Sequence, residues 1–216
     1  MIFCSPDNKK KNAGLRCLVT LLFIFLVTSS FAQRFPFDYW YDGKVVTEAG
    51  DTLKGKIKYD PQNDLIQLGI GSRYESFTAR KVIYYELTDA ANKSFRRFYA
   101  LPYAPSGDYK VPVFFELLTE GKCTLLSREA LEQVNVNSFY YYGGGSRVIL
   151  VYRYFVLKED GVIERMGRDR DDFMGLMDDR YDEMRRYIKT NRLNLERHGD
   201  LVRSIRYYNS LFPNDK

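Results

Sequence analysis

The sequence predicts an α+β fold: a mostly antiparallel β-sheet or roll over about residues 39–166, then two C-terminal helices over about 170–190 and 200–211. Three observations predict it. Between Tyr39 and Met166, short runs rich in apolar and aromatic residues are separated by turns containing Gly, Asp or Asn. After Met166 the apolar spacing changes from the strand period of two to the helical period of about 3.6. Strands come first and helices last, the order of a sheet with helices packed on one face or end.

The chain opens with the three parts of a secretory signal peptide, residues 1–32. Lys9, Lys10, Lys11 and Arg16 form a positive region, Cys17 to Thr28 an apolar run, and Ser30 and Ala32 a small-residue exit, which predicts cleavage between Ala32 and Gln33. The apolar run is about a dozen residues, short of the roughly 20 that span a bilayer. No later run has that length, so the expectation is an exported protein, periplasmic or extracellular, whose residues 33–216 form a single domain without a transmembrane segment. That domain divides into a strand-rich part, 33–166, and a helical tail, 167–216, packed on it. Removing the segment takes four of 33 basic and one of 28 acidic residues, which leaves 29 against 27 and a net charge of +2. The basic character therefore belongs largely to the leader. Arg96-Arg97 and Arg185-Arg186 read as ordinary solvated pairs, and no basic run or stacking module points to nucleic acid.

Lys44 to Thr47 and Thr52 to Tyr59 read as a hairpin around Glu48-Ala49-Gly50-Asp51. Leu53, Gly55, Ile57 and Tyr59 alternate with Lys54, Lys56 and Lys58, as in a half-buried strand. Leu65 to Ile70 and Arg73 to Phe77 flank the turn Gly71-Ser72. Further strands are expected at Val82 to Leu87, Phe95 to Ala100, Val113 to Leu118 and Lys122 to Leu126. Arg147 to Leu157 is the longest apolar-rich run after the leader and reads as a central strand, turning at Glu159-Asp160-Gly161 into Val162 to Met166.

In the first helix Phe173, Met177, Met184 and Ile188 recur at helical spacing, with Leu176 and Tyr187 on the same side. Asp169, Asp171 and Asp172 sit at its start and Lys189 and Arg192 near its end, matching the helix dipole. Asn191 is the expected stop. The second helix places Leu201, Ile205 and Tyr208 on one face, with Asp200 as its cap and Pro213 just beyond it.

Gly50-Asp51-Thr52-Leu53-Lys54-Gly55-Lys56-Ile57, Tyr187-Ile188-Lys189 with Asn191 and Leu193, and Tyr207-Tyr208-Asn209-Ser210-Leu211 resemble a group of uncharacterised exported proteins of Bacteroidota. The resemblance brackets most of the chain after the leader. It implies a two-membrane cell envelope as the destination and carries no activity and no functional residues.

Few chemistries have their residues here. Gly69-Ile70-Gly71 and Gly143-Gly144-Gly145-Ser146 lack the rest of a phosphate loop and read as turns. His198 is the only histidine and reads as exposed beside Gly199 between the helices. Cys123, the one cysteine after the leader, alternates with Leu125 onto one strand face and reads as a buried small residue. Asp169-Arg170-Asp171-Asp172 fails as a calcium loop, because Phe173 and Arg180 occupy two ligand positions. No metal or other cofactor is expected. Glu116 and Glu120 share a strand face that reads as outward and polar, and Glu116 is the residue that a carboxylate-dependent hydrolase of envelope polysaccharide would use. A small membrane barrel is disfavoured by the charged helices at the C-terminal end.

The compositional oddity is aromatic. All 18 tyrosines follow the leader, clustered as Tyr39-Trp40-Tyr41, Phe139-Tyr140-Tyr141-Tyr142 and Tyr152/Tyr154. Aromatics are favoured in strands, so most are expected to pack. Where exposed they stack on sugar rings or dock partners, and Tyr140, Tyr141 and Tyr142 beside the glycine loop are the first candidates. The expectation is therefore a non-catalytic envelope or secreted domain that binds an envelope protein or glycan.

Overall fold

Among the residues that the computed structural model describes (33–90, 93–105, 107–136, 145–167 and 169–212) ten strands form one antiparallel sheet. They are β1 (Tyr41–Thr47), β2 (Thr52–Asp60), β3 (Leu65–Ile70), β4 (Arg73–Thr78), β5 (Val82–Asp89), β6 (Ser94–Tyr103), β7 (Val111–Thr119), β8 (Thr124–Val136), β9 (Gly145–Leu157) and β10 (Ile163–Arg165). The order across the sheet is β10-β9-β8-β7-β6-β5-β1-β2-β3-β4. Two meanders thus share β1 and β5 as their seam, and the link from β4 to β5 runs through a 3-10 turn at Ala79–Lys81. The chain clusters into Met1–Arg34 and a second unit beginning at Phe35, which holds all the strands and helices described here. The α+β expectation holds.

The sheet is rolled. Tyr59 on β2 and Glu129 on β8 lie five strands apart in the order, about 24 Å in a flat sheet, yet their side chains meet at 2.8 Å. Gly43 and Gly55, paired across β1 and β2, allow the tight curl: a Cβ on Gly43 would sit 2.1 Å from the Glu86 carbonyl oxygen, and one on Gly55 2.3 Å from that of Gly69. Inside the curl, Val45, Ile57, Ile66, Leu68, Tyr85, Leu87, Phe98 and Phe114 close a core. The alternation read in β2 is correct: Ile57 and Tyr59 are buried, and Lys54 and Lys56 face water.

The same inner face continues across β8 and β9, where helices cover it. They are α1 (Arg170–Gly175), α2 (Tyr181–Thr190) and α3 (His198–Ser210). Phe173, Met177, Met184, Ile188, Leu201, Ile205 and Tyr208 pack on Cys123, Leu125 and Val156. The first expected helix is broken into two by Asp178–Arg180, a 3-10 turn, and Asn191 caps α2 as read. The second helix starts at His198, not at Asp200, whose carboxylate instead accepts the Asn194 N–H at 3.0 Å. The run Arg147 to Leu157 forms β9, which is penultimate in the sheet rather than central. Its C-terminal end is buried on both faces, Val156 under the helices and Phe155 against Val113, Phe115 and Leu126, whereas Val148 nearer its start is exposed. Among the described residues no helix is long and apolar enough to cross a membrane.

The sheet also forks. β7 pairs with β8 only from Glu116 to Thr119, whereas β8 pairs with β9 along its whole length. Into the fork comes the β2–β3 turn. Asp64 takes a left-handed conformation there (φ 50°) and accepts the Phe114 N–H at 2.9 Å with one oxygen. Its other oxygen meets Arg128 Nη2 at 3.0 Å.

Candidate functional site

The inner face carries a charged network between its two apolar cores. Arg96 on β6 clamps Glu116 on β7 bidentately, through Nε at 2.7 Å and Nη2 at 2.8 Å, and reaches Glu129 on β8 at 2.6 Å. Tyr59 accepts from Arg96 Nη1 at 2.9 Å and donates to Glu129 at 2.8 Å, while Ser127 donates to Glu116 at 3.2 Å. Burial works against the charged guanidinium, but its hydrogen bonds to and attraction by Glu116 outweigh that, so Arg96 is held above its ordinary pKa. This corrects two expectations. Glu116 does not face outward but is buried, and Glu120, beyond the end of β7, is exposed on its own. Arg96 and Arg97 are not a solvated pair: neighbours on a strand face opposite ways, so Arg97 reaches Glu86 on the outer face while Arg96 goes inside.

His198 is corrected likewise. It is half-buried, with its ring 4.6 Å from that of Tyr152 and Nδ1 3.1 Å from the Tyr154 hydroxyl. Burial lowers its pKa, and the charge of Arg96 acts in the same direction, against Glu116 and Glu129. Tyr154 is pushed up to about 12, chiefly by burial. Cys123 is buried as read, and burial raises its thiol to about 11. Such a thiol is a poor nucleophile.

Compared with protein-family models, curated proteins and solved structures, the chain matches none.

The aromatic clusters behave differently from one another. Tyr152 and Tyr154 pack against His198 beneath α3. Tyr41 turns inward, donating to the Pro36 carbonyl at 2.7 Å. Tyr39 and Trp40 turn outward and remain 48% and 40% exposed. The Trp40 ring lies 5.5 Å from that of Tyr74 on β4, itself 71% exposed and lying over Gly69. Ile70, at the end of β3, is also exposed. These side chains form an apolar ledge beside β4, the last strand of the sheet. Tyr140, Tyr141 and Tyr142, the first candidates for ligand binding, lie outside the described residues, as do Ala32 and the leader; Gln33 is exposed coil. Among the described residues no three His, Cys, Asp or Glu side chains are placed to hold a metal ion.

On the outer face, below the fork, a cavity of about 370 Å³ opens between Arg128, Arg153, Arg165, Tyr103 and Phe155. Spacing within the sequence gave no sign of it, because its walls come from the β2–β3 turn and strands β6, β8, β9 and β10.

Proposed function

We propose that this chain is an exported domain of the cell envelope that binds another envelope component, a protein or a glycan, by the ledge of Trp40 and Tyr74. The observation that carries the reading is the pair of exposed, mutually contacting rings at an open sheet edge. Aromatic rings left in water expose apolar surface that is worth about 25 cal/mol per Å² on burial. Flat exposed rings take sugar faces or a partner's apolar side chains, and the adjoining edge strand offers free backbone N–H and C=O groups. The export signature read in residues 1–32 and the resemblance to exported proteins supply the compartment.

The competing hydrolase reading needs a carboxyl that meets substrate. Glu116, its candidate, is 7% exposed and clamped by Arg96, so its surroundings lend that reading nothing.

The test is capture from solubilised envelope and from a glycan array, comparing the native protein with a Trp40→Ala/Tyr74→Ala variant of unchanged thermal stability. A protein or glycan enriched by the native form and lost with the variant supports the proposal. Equal capture by both overturns it.

A further inference from the structure

The cavity below the fork gathers three arginines, Arg128, Arg153 and Arg165. Arg128 and Arg153 stand directly opposite one another on β8 and β9, on the same face. Like charges in that position repel. Their side chains are 19% and 40% exposed, so water screens them only in part. Each also has a nitrogen shielded from solvent with no hydrogen-bond partner, Nη1 of Arg128 and Nε of Arg153. Buried donors of that kind are rare, because leaving them unpaired is costly. Arg165 on β10, paired in register with Phe155, adds a third cation at the rim.

Two carboxylates already neutralise part of this charge. Asp64 meets Arg128 at 3.0 Å and Glu132 meets Arg153 at 3.3 Å. Glu129 also reaches the cavity wall, but its carboxylate is taken up by Arg96 at 2.6 Å, so the cations gathered at the cavity are Arg128, Arg153 and Arg165. The guanidinium stem of Arg128 is fixed over the Phe115 ring, 5.5 Å from its centroid, so its donors are preorganised. Tyr103 and Phe155, in edge-to-face contact with centroids 5.4 Å apart, supply an apolar wall beside the cations.

We propose that this cavity binds a small organic monocarboxylate, its carboxylate between Arg128 and Arg153 and a ring of about monosaccharide size against Tyr103 and Phe155. A carboxylate presents two oxygens in the planar geometry that guanidinium groups match. The volume suits a ring of six or so atoms with its substituents, at the small end of ligand sites. The site shares no lining residue with the ledge of Trp40 and Tyr74, and stands or falls without it.

Titration calorimetry of the full folded domain with glucuronate, glucose 6-phosphate and glucose tests the assignment. Glucuronate should bind at least about tenfold more tightly than neutral glucose, and more tightly than glucose 6-phosphate. Arg153→Ala and Arg165→Ala should each weaken glucuronate by about fivefold or more, with thermal stability as a check on folding; Arg165 is exposed, so that variant leaves the core untouched. Glucuronate binding no better than glucose, binding unchanged in both variants, or a preference for the phosphate would overturn the proposal.

Discussion

The side chain of Asn209 holds the backbone of Cys123 in both directions: its Oδ1 accepts the Cys123 N–H at 2.8 Å and its Nδ2 donates to the Cys123 carbonyl at 2.9 Å. The same amide reaches the Glu120 carbonyl at 3.3 Å. One residue of α3 thereby does for the β7–β8 turn what a neighbouring strand would do. Gly121 makes room for it, since a Cβ there would sit 2.8 Å from the Asn209 side chain, and its φ of 147° is one that other residues rarely adopt.

Asn209→Ala leaves the Cys123 N–H unpaired beneath the helix and its C=O with the Thr119 hydroxyl alone, at 3.5 Å, and should cost about 2–3 kcal/mol. Asn209→Asp keeps the volume and one acceptor but sets a carboxylate against two carbonyl oxygens, so it should cost as much. Urea denaturation followed by circular dichroism reads both. A variant within 0.5 kcal/mol of the native protein, on the usual scale of surface changes, would show that the helix is held by apolar packing alone.

Among the described residues, Arg96 is the cation that bridges Glu116 and Glu129 on the inner face. Arg96→Met should destabilise the domain by about 3–5 kcal/mol, because it strands two buried carboxylates. Replacing all three together, as Arg96→Met/Glu116→Leu/Glu129→Leu, should restore much of that loss. Arg96→Lys should rescue poorly, since an ammonium cannot fork across two carboxylates and a phenol. Equilibrium unfolding distinguishes these outcomes, and an Arg96→Met variant as stable as the native chain would make the network ornamental.

How much of this was legible depended on whether the partner is near in sequence. The face of Leu53, Gly55, Ile57 and Tyr59 could be read because period two is a local property. So could Phe173, Met177, Met184 and Ile188, although spacings of four and seven also fit the two shorter helices that form around Asp178–Arg180. The pairing of Tyr59 with Glu129 spans 70 residues and follows from the roll, which no local spacing encodes. Arg96-Arg97 held a usable clue: adjacent residues in a strand face opposite ways, so one of two adjacent arginines had to face inward. Its acceptors, however, are supplied by β7 and β8. The ledge was half legible, as Tyr39-Trp40 belongs to a visible cluster, whereas Tyr74 joins it only through the pairing of β3 with β4.

His198 makes stability depend on pH. Its folded-state pKa lies below the ordinary 6.5, because burial disfavours the imidazolium. The unfolded chain therefore binds the proton more tightly. The neutral ring's contribution is fully present above about pH 6.5 and is lost as the pH falls through the folded-state value. Thermal unfolding from pH 7.5 to 5 should show a falling midpoint in the native protein and a flatter profile in His198→Phe. Parallel profiles would remove His198 as the cause.

Trp40 is the single tryptophan of the whole sequence and sits in the proposed contact surface, so its fluorescence reports on that surface directly. The measurement is its emission during titration with the component captured by the native protein. A saturable blue shift, as the 40% exposed ring leaves water, and its weakening by about tenfold in Tyr74→Ala, are the expected results. Emission that stays unchanged while the component demonstrably binds would place the contact elsewhere and contradict the proposed function.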